Sequence, residues 1–105
     1  MAESVRPWFH FEGRGGDRTL DQQMQGLSLL MRSVKNATVL DVGCAEGLIT
    51  VEMAKAGAIA LHGIEIRRQA VDDANVLRGD RPITFEVGDM NVWCPTRHYD
   101  VLVML

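Results

Sequence analysis

The sequence predicts an α/β domain: one parallel sheet of about four strands, joined largely by helices. Three observations carry that prediction. The nine residues Val39 to Gly47 (VLDVGCAEG) read as a buried strand that ends at a glycine turn and passes into a helix. Apolar runs at 58–66, 82–87 and 99–105 follow, and stretches of helical periodicity separate the first of them from its neighbours. Gly57 and Gly79 then stand where those helices have to stop.

With 105 residues the chain makes one small domain. Hydrophobic residues make up 47% and charged residues 24%, a globular balance that excludes a disordered chain. No apolar run approaches the length of a membrane span, so no membrane partner is expected. The net charge of −3 comes without a basic tract, and the tightest Arg clusters are Arg14 with Arg18 and Arg67 with Arg68. A nucleic-acid partner is neither indicated nor excluded. Cys44 and Cys94 lie fifty positions apart without a metal-type spacing, so both read as reduced thiols and no metal site is expected. The opening MAESVRPWFH lacks the apolar core of a signal peptide, which makes the expected location cytoplasmic.

Residues 1–18 mix Trp8, Phe9, His10 and Phe11 with three glycines and show no sustained period. They read as an irregular lead segment, either a clip that pins the N-terminus or a lid over a ligand. From Thr19 the spacing predicts one helix, because Leu20, Met24, Leu27, Met31 and Val34 recur at four- and three-residue steps. Asp17 or Thr19 is placed to cap its start, and Lys35 with Asn36 marks its end.

In VLDVGCAEG the apolar run is interrupted only by Asp41, as befits a strand covered on both faces that ends at a polar site. Gly43 and Gly47 let the backbone approach a ligand, and a helix start beyond them turns free N–H groups and a positive dipole end toward whatever lies above the strand tips. That geometry suits a nucleoside. The second helix spans Leu48 to Ala56, with Ile49, Met53 and Ala56 on a shared face.

The second strand covers Ala58 to Ile66 and contains His62, a lone histidine with no visible partner. Glu65 stands at its tip, eighteen residues after Gly47, near the spacing of roughly twenty at which a carboxylate meets ribose hydroxyls. A carboxylate accepts hydrogen bonds from the 2′ and 3′ hydroxyls together. The third helix, Arg67 to Arg78, turns Ala70, Val71, Ala74 and Leu77 inward and Asp72, Asp73 and Asn75 outward. The third strand runs from Pro82 to Val87, with Gly88, Asp89 and Met90 at its tip, and the fourth from Tyr99 to Leu105.

VLDVGCAEG resembles the first motif of the class I S-adenosylmethionine-dependent methyltransferases: an apolar pair, an acid, an apolar residue, Gly, a small residue, Gly or Ala, any residue, Gly. The resemblance implies that Asp41 lies near the methionine amino group and that the turn, Gly43, Cys44, Ala45 and Gly47, passes close to the cofactor. GIEIRRQA is similar to the second motif, which implies Glu65 at the ribose with Ile66 beside it. Asp89 matches the acid that accepts from the adenine amino group, and Met90 the apolar neighbour against the ring. Tyr99 and Asp100 resemble the start of the family's fourth strand. The implied fold is a Rossmann-like parallel sheet in the order 3-2-1-4, with helices mainly on one face and the chain stopping after the fourth strand.

Trp8, Phe9 and His10, followed by glycines, are similar to a subset of these enzymes that modify wobble uridine in transfer RNA. The implied function is methyl transfer to an acceptor that the sequence does not identify. No catalytic residue is assigned, since the family commonly places such groups at or beyond the end of the fourth strand. A non-catalytic binding or interaction module of the same fold is the alternative. An NAD-dependent oxidoreductase fits less well: its turn wants a middle glycine that is absent here, and Glu46 beside the helix start would repel a pyrophosphate.

In this strand order the link from the third strand to the fourth crosses the second sheet face in about ten residues, Gly88 to Arg97. Fully stretched it reaches about 33 Å, against a sideways step of about 14 Å and a return of about 17 Å. The link closes but leaves little for a helix, so Trp93 with Met90 is expected to lie over that face. An exposed edge at Val101 to Leu105 would be a liability. The expectation is therefore the cofactor-binding half of a longer fold, or self-association through the fourth strand.

Overall fold

The computed structural model describes residues 19–105. The readings of 1–18, including Trp8 to Phe11 and the cap at Asp17, lie outside the described residues. Four parallel strands, β1 (Thr38–Val42), β2 (Ala60–Glu65), β3 (Ile83–Val87) and β4 (Val101–Met104), form one sheet in the order β3-β2-β1-β4. The register places Leu40 beside His62 and His62 beside Thr84, while Leu40 faces Leu102 across the other edge of β1. This is the order expected from the sequence.

Successive strand residues alternate between the two sheet faces. Val39, Leu61, Ile83, Phe85 and Val103 share one face and join the main core with helices α3 (Leu48–Lys55) and α4 (Arg68–Arg78). Leu40, Val42 and Ile64 point the other way and form a smaller cluster under Trp93 and Tyr99. Helical cover thus lies on one face, and the β3–β4 link crosses the other. Asp100 fastens β4 at its start: its carboxylate accepts from the Thr38 backbone N–H at 2.9 Å and from the Thr38 hydroxyl at 3.1 Å.

Two readings of the helices need correction. The stretch from Thr19 forms two short helices, α1 (Leu20–Met24) and α2 (Ser28–Ser33), instead of one. Gly26 takes φ +78 between them, a conformation glycine reaches without a Cβ penalty. The apolar stripe survives the break, since Leu20, Met24, Leu27 and Met31 pack on the core and Val34 is fully buried. Thr19 caps α1 through a capping box, its hydroxyl accepting from the Gln22 N–H at 3.2 Å. In α4, Asp73 is buried, not outward, with the Gln69 amide donating to it at 3.1 Å. Three residues from Ala70 and four from Leu77, it stands on the inward stripe that helical spacing defines.

Candidate functional site

The β1–α3 turn is held by the end of β2. The Gly43 and Cys44 N–H groups both donate to the Ile64 carbonyl, at 2.8 and 3.1 Å, and the Ala45 N–H donates to Glu65 Oε1 at 2.9 Å. The Gly47 N–H donates to the Cys44 carbonyl at 3.0 Å. These four donors, which belong to the turn ahead of the helix start, are therefore spent inside the protein. Gly43 offers backbone surface instead: its φ is +71, and a Cβ added there would meet no described atom within 4 Å. Gly47, at φ +85, is closed in, since an added Cβ would lie 2.8 Å from the Phe85 ring and 3.0 Å from Ala74. Ala45 adopts φ +52, a left-handed conformation uncommon for a residue with a Cβ.

The three strand-tip carboxylates differ in setting. Asp41 is 3% exposed and accepts a 2.7 Å hydrogen bond from the Thr50 hydroxyl. Burial, with the nearby Glu65 charge adding to it and the Thr50 hydroxyl opposing it, leaves its carboxyl pushed up to about 7. Glu65 is also buried, but its oxygens are well served: Oε1 accepts from Ala45, and Oε2 from the Arg67 backbone N–H at 3.1 Å and the Arg67 Nε–H at 2.8 Å. Asp89 is half-buried, and its Oδ1 accepts from the Asn91 N–H at 2.9 Å.

An open hollow of about 220 Å³ lies at the carboxyl ends of the strands, lined by Val42, Gly43, Ile64, Glu65, Ile66, Gly88, Asp89 and Met90. It is a shelf more than an enclosure, below the size that engulfs a drug-sized ligand. Of the residues singled out in the sequence, Gly43, Glu65, Ile66, Asp89 and Met90 come together here. Asp41, Cys44, Ala45 and Gly47 are buried behind it. Glu65 and Asp89 thus share one hollow, while Asp41 does not line it. Ile66 and Met90 are 63% and 41% exposed, large apolar groups presented at the hollow.

Sequence reasoning missed three features. Thr50, which satisfies Asp41, and Arg67, which holds Glu65, carry no local signal of those roles. His62 is the third, and its reading as a lone histidine is corrected. Its Nδ1 lies 2.6 Å from the Tyr99 hydroxyl and its Nε2 2.7 Å from Glu86 Oε1. Cys44 is buried, and burial with the surrounding carboxylates pushes its thiol strongly up, whereas Cys94 is exposed. Among the described residues no cluster of three His, Cys, Asp or Glu side chains could hold a metal, and no helix is long and apolar enough to cross a membrane.

A family described as "Methyltransferase domain" matches residues 39–105. The chain is 37% identical over 68 residues to a ribosomal protein L11 methyltransferase of Paraburkholderia xenovorans, covering 63% of this chain and 22% of that protein. It is 36% identical over 77 residues to the protein of the same name in Burkholderia ambifaria, covering 70% and 25%. The chain therefore spans about a quarter of the length of these relatives. In structure it is similar to an S-adenosylmethionine-dependent methyltransferase from Mesorhizobium loti, with a TM-score of 0.71 at 22% identity, covering 81% of this chain and 40% of the other.

Proposed function

This chain belongs to the methyltransferase domain family, and from that premise we propose that it binds S-adenosylmethionine in the strand-tip hollow and serves methyl transfer to an acceptor. The observation that carries the reading is the convergence of Glu65, Asp89, Ile66 and Met90 on one hollow beside the open backbone of Gly43. The donor set fits the ligand's three parts. Glu65 receives the ribose hydroxyls, Asp89 accepts from the adenine amino group, and Met90 and Ile66 pack on the faces of the ring. Gly43 leaves room for the chain of the methionine portion, and Asp41, Cys44, Ala45 and Gly47 act from behind by shaping the turn.

When bound, the cofactor supplies an electrophilic methyl group on a sulfonium. The residues named here bind and orient; orientation is the protein's main contribution to an in-line displacement. The expected site of action is the cytoplasm.

Calorimetry with S-adenosylhomocysteine and with NAD, side by side, tests the reading. Binding of the former and not the latter is expected, and Glu65→Ala should weaken it by about 1 to 3 kcal/mol, the range for losing bonds to a charged acceptor. Preference for NAD, or an unchanged dissociation constant in Glu65→Ala, would remove the assignment. Turnover of labelled cofactor with candidate acceptors then separates an enzyme from a binding module.

A further inference from the structure

On the sheet face without helices, a continuous chain of hydrogen bonds runs from the site to the start of β4. The Trp93 backbone N–H donates to the Asp89 carbonyl at 2.8 Å, and the Trp93 indole N–H donates to Glu86 Oε2 at 3.1 Å. The other oxygen of Glu86 meets His62 Nε2 at 2.7 Å, and His62 Nδ1 meets the Tyr99 hydroxyl at 2.6 Å. The imidazole also stands edge-on to the Trp93 ring, with centroids 5.5 Å apart. Trp93 lies directly over Gly88, where an added Cβ would approach its Cδ1 to 3.2 Å. His62 itself sits mid-strand in β2, an element held rigidly between β1 and β3.

We propose that His62, with Glu86, is a positioning residue that pins the β3–β4 link to the sheet and thereby holds Asp89 at the angle needed to read the adenine amino group. The link carries no helix to anchor it, so its two aromatic side chains and their polar tips do the anchoring. Glu86 and Tyr99 approach from strand β3 and from the entry to β4, and one imidazole spans the gap between them. Both ring nitrogens have a partner, and either form of the imidazole can make the two hydrogen bonds. With neutral His62 the Tyr99 hydroxyl donates to Nδ1 and Nε2–H donates to Glu86; with the cation both ring N–H groups donate, and the tyrosine oxygen accepts. A phenyl ring at this place can do neither, whereas a glutamine amide can donate to Glu86 and accept from Tyr99.

The inference rests on the cofactor reading above, and its test separates the two. Wild-type chain, His62→Phe and His62→Gln are compared by calorimetry against S-adenosylhomocysteine and S-inosylhomocysteine, whose ring carries a carbonyl oxygen in place of the amino group. Wild type should prefer the adenosyl ligand, because Asp89 accepts from the amino group and repels the carbonyl. His62→Phe should lose about tenfold in adenosyl affinity with the inosyl ligand little changed, so the preference collapses. His62→Gln should restore the preference, together with the near-ultraviolet dichroism of Trp93. If His62→Phe does not fold, Tyr99→Phe, which deletes only the hydroxyl, is expected to move the ratio the same way. An adenosyl-to-inosyl ratio unchanged in these variants, or an equal loss for both ligands, overturns the positioning role. Failure of the wild type to bind either ligand overturns the cofactor reading, and this role with it.

Discussion

Asp41→Asn tests the electrostatics beneath the site. Asp41 is 3% exposed, and burial leaves its carboxyl pushed up to about 7, against about 3.9 in an unfolded chain. Below pH 4 both states hold the proton and the shift has no effect. Between about 4 and 7 the folded state keeps a proton that the unfolded state has released, so native stability falls as pH rises through that window and stays low above it. At about 1.36 kcal/mol per pH unit the whole loss is on the order of 4 kcal/mol, a large share of the 5 to 15 kcal/mol that holds a domain together. Asparagine keeps an oxygen to accept the 2.7 Å bond from Thr50 and cannot ionise. Urea unfolding of both proteins at pH 5 and pH 8 should therefore show wild type losing on the order of 2 to 3 kcal/mol relative to the variant. A wild-type-to-variant gap that stays constant with pH, within about 0.5 kcal/mol, would refute the argument and place an ordinary carboxylate at the end of β1.

Gly63→Ala should cost about 1 to 3 kcal/mol in urea unfolding, because the new Cβ would lie 2.7 Å from the Phe85 ring and 2.9 Å from Cys44 Sγ; an unchanged midpoint would contradict that packing. A thiol reagent should titrate Cys94 alone in the native protein and Cys44 only after unfolding, whereas two fast-reacting thiols would contradict the burial of Cys44. The exposed Leu102 and Met104 of β4, 64% and 68% exposed, should drive concentration-dependent association in sedimentation, which Leu102→Lys with Met104→Lys should abolish. A wild-type monomer at every concentration would count against it.

The strands were legible because their information is local, and their order through the family resemblance. Val39 to Val42, Ile83 to Val87 and Val101 to Met104 each carry their pattern within a few residues, and right-handed crossovers leave few ways to join them. Glu65, Asp89, Ile66 and Met90 were legible through the resemblance of their motifs, and the strand tips that carry them bring them to one rim. The break at Gly26 was not. A single glycine costs a helix about 1 kcal/mol, and the apolar stripe continues in phase on both sides of it. Nor were the partners of His62, which lie 24 and 37 positions away and meet it only through the sheet. Short-range pattern reading assigns faces; it does not pair polar groups across strands.

The same limit bears on Glu65, whose place was legible and whose engagement was not. A carboxylate offers about four lone-pair positions. Three are already used, one by the Ala45 N–H and two by Arg67. Two ribose hydroxyls require two, so the ligand and the present contacts together need five, and one contact must yield. Both backbone donors are fixed, the first by the glycine turn and the second by the start of α4. The Arg67 Nε–H is carried on a flexible side chain that also lies 3.8 Å from Glu46 and so has a second carboxylate to turn to. On the cofactor reading proposed above, the guanidinium is then the group that gives way when ribose arrives, letting go of Glu65 while staying beside Glu46, 3.8 Å away. Both buried carboxylates keep partners in either state, which is the condition under which they can stand this close to an apolar core.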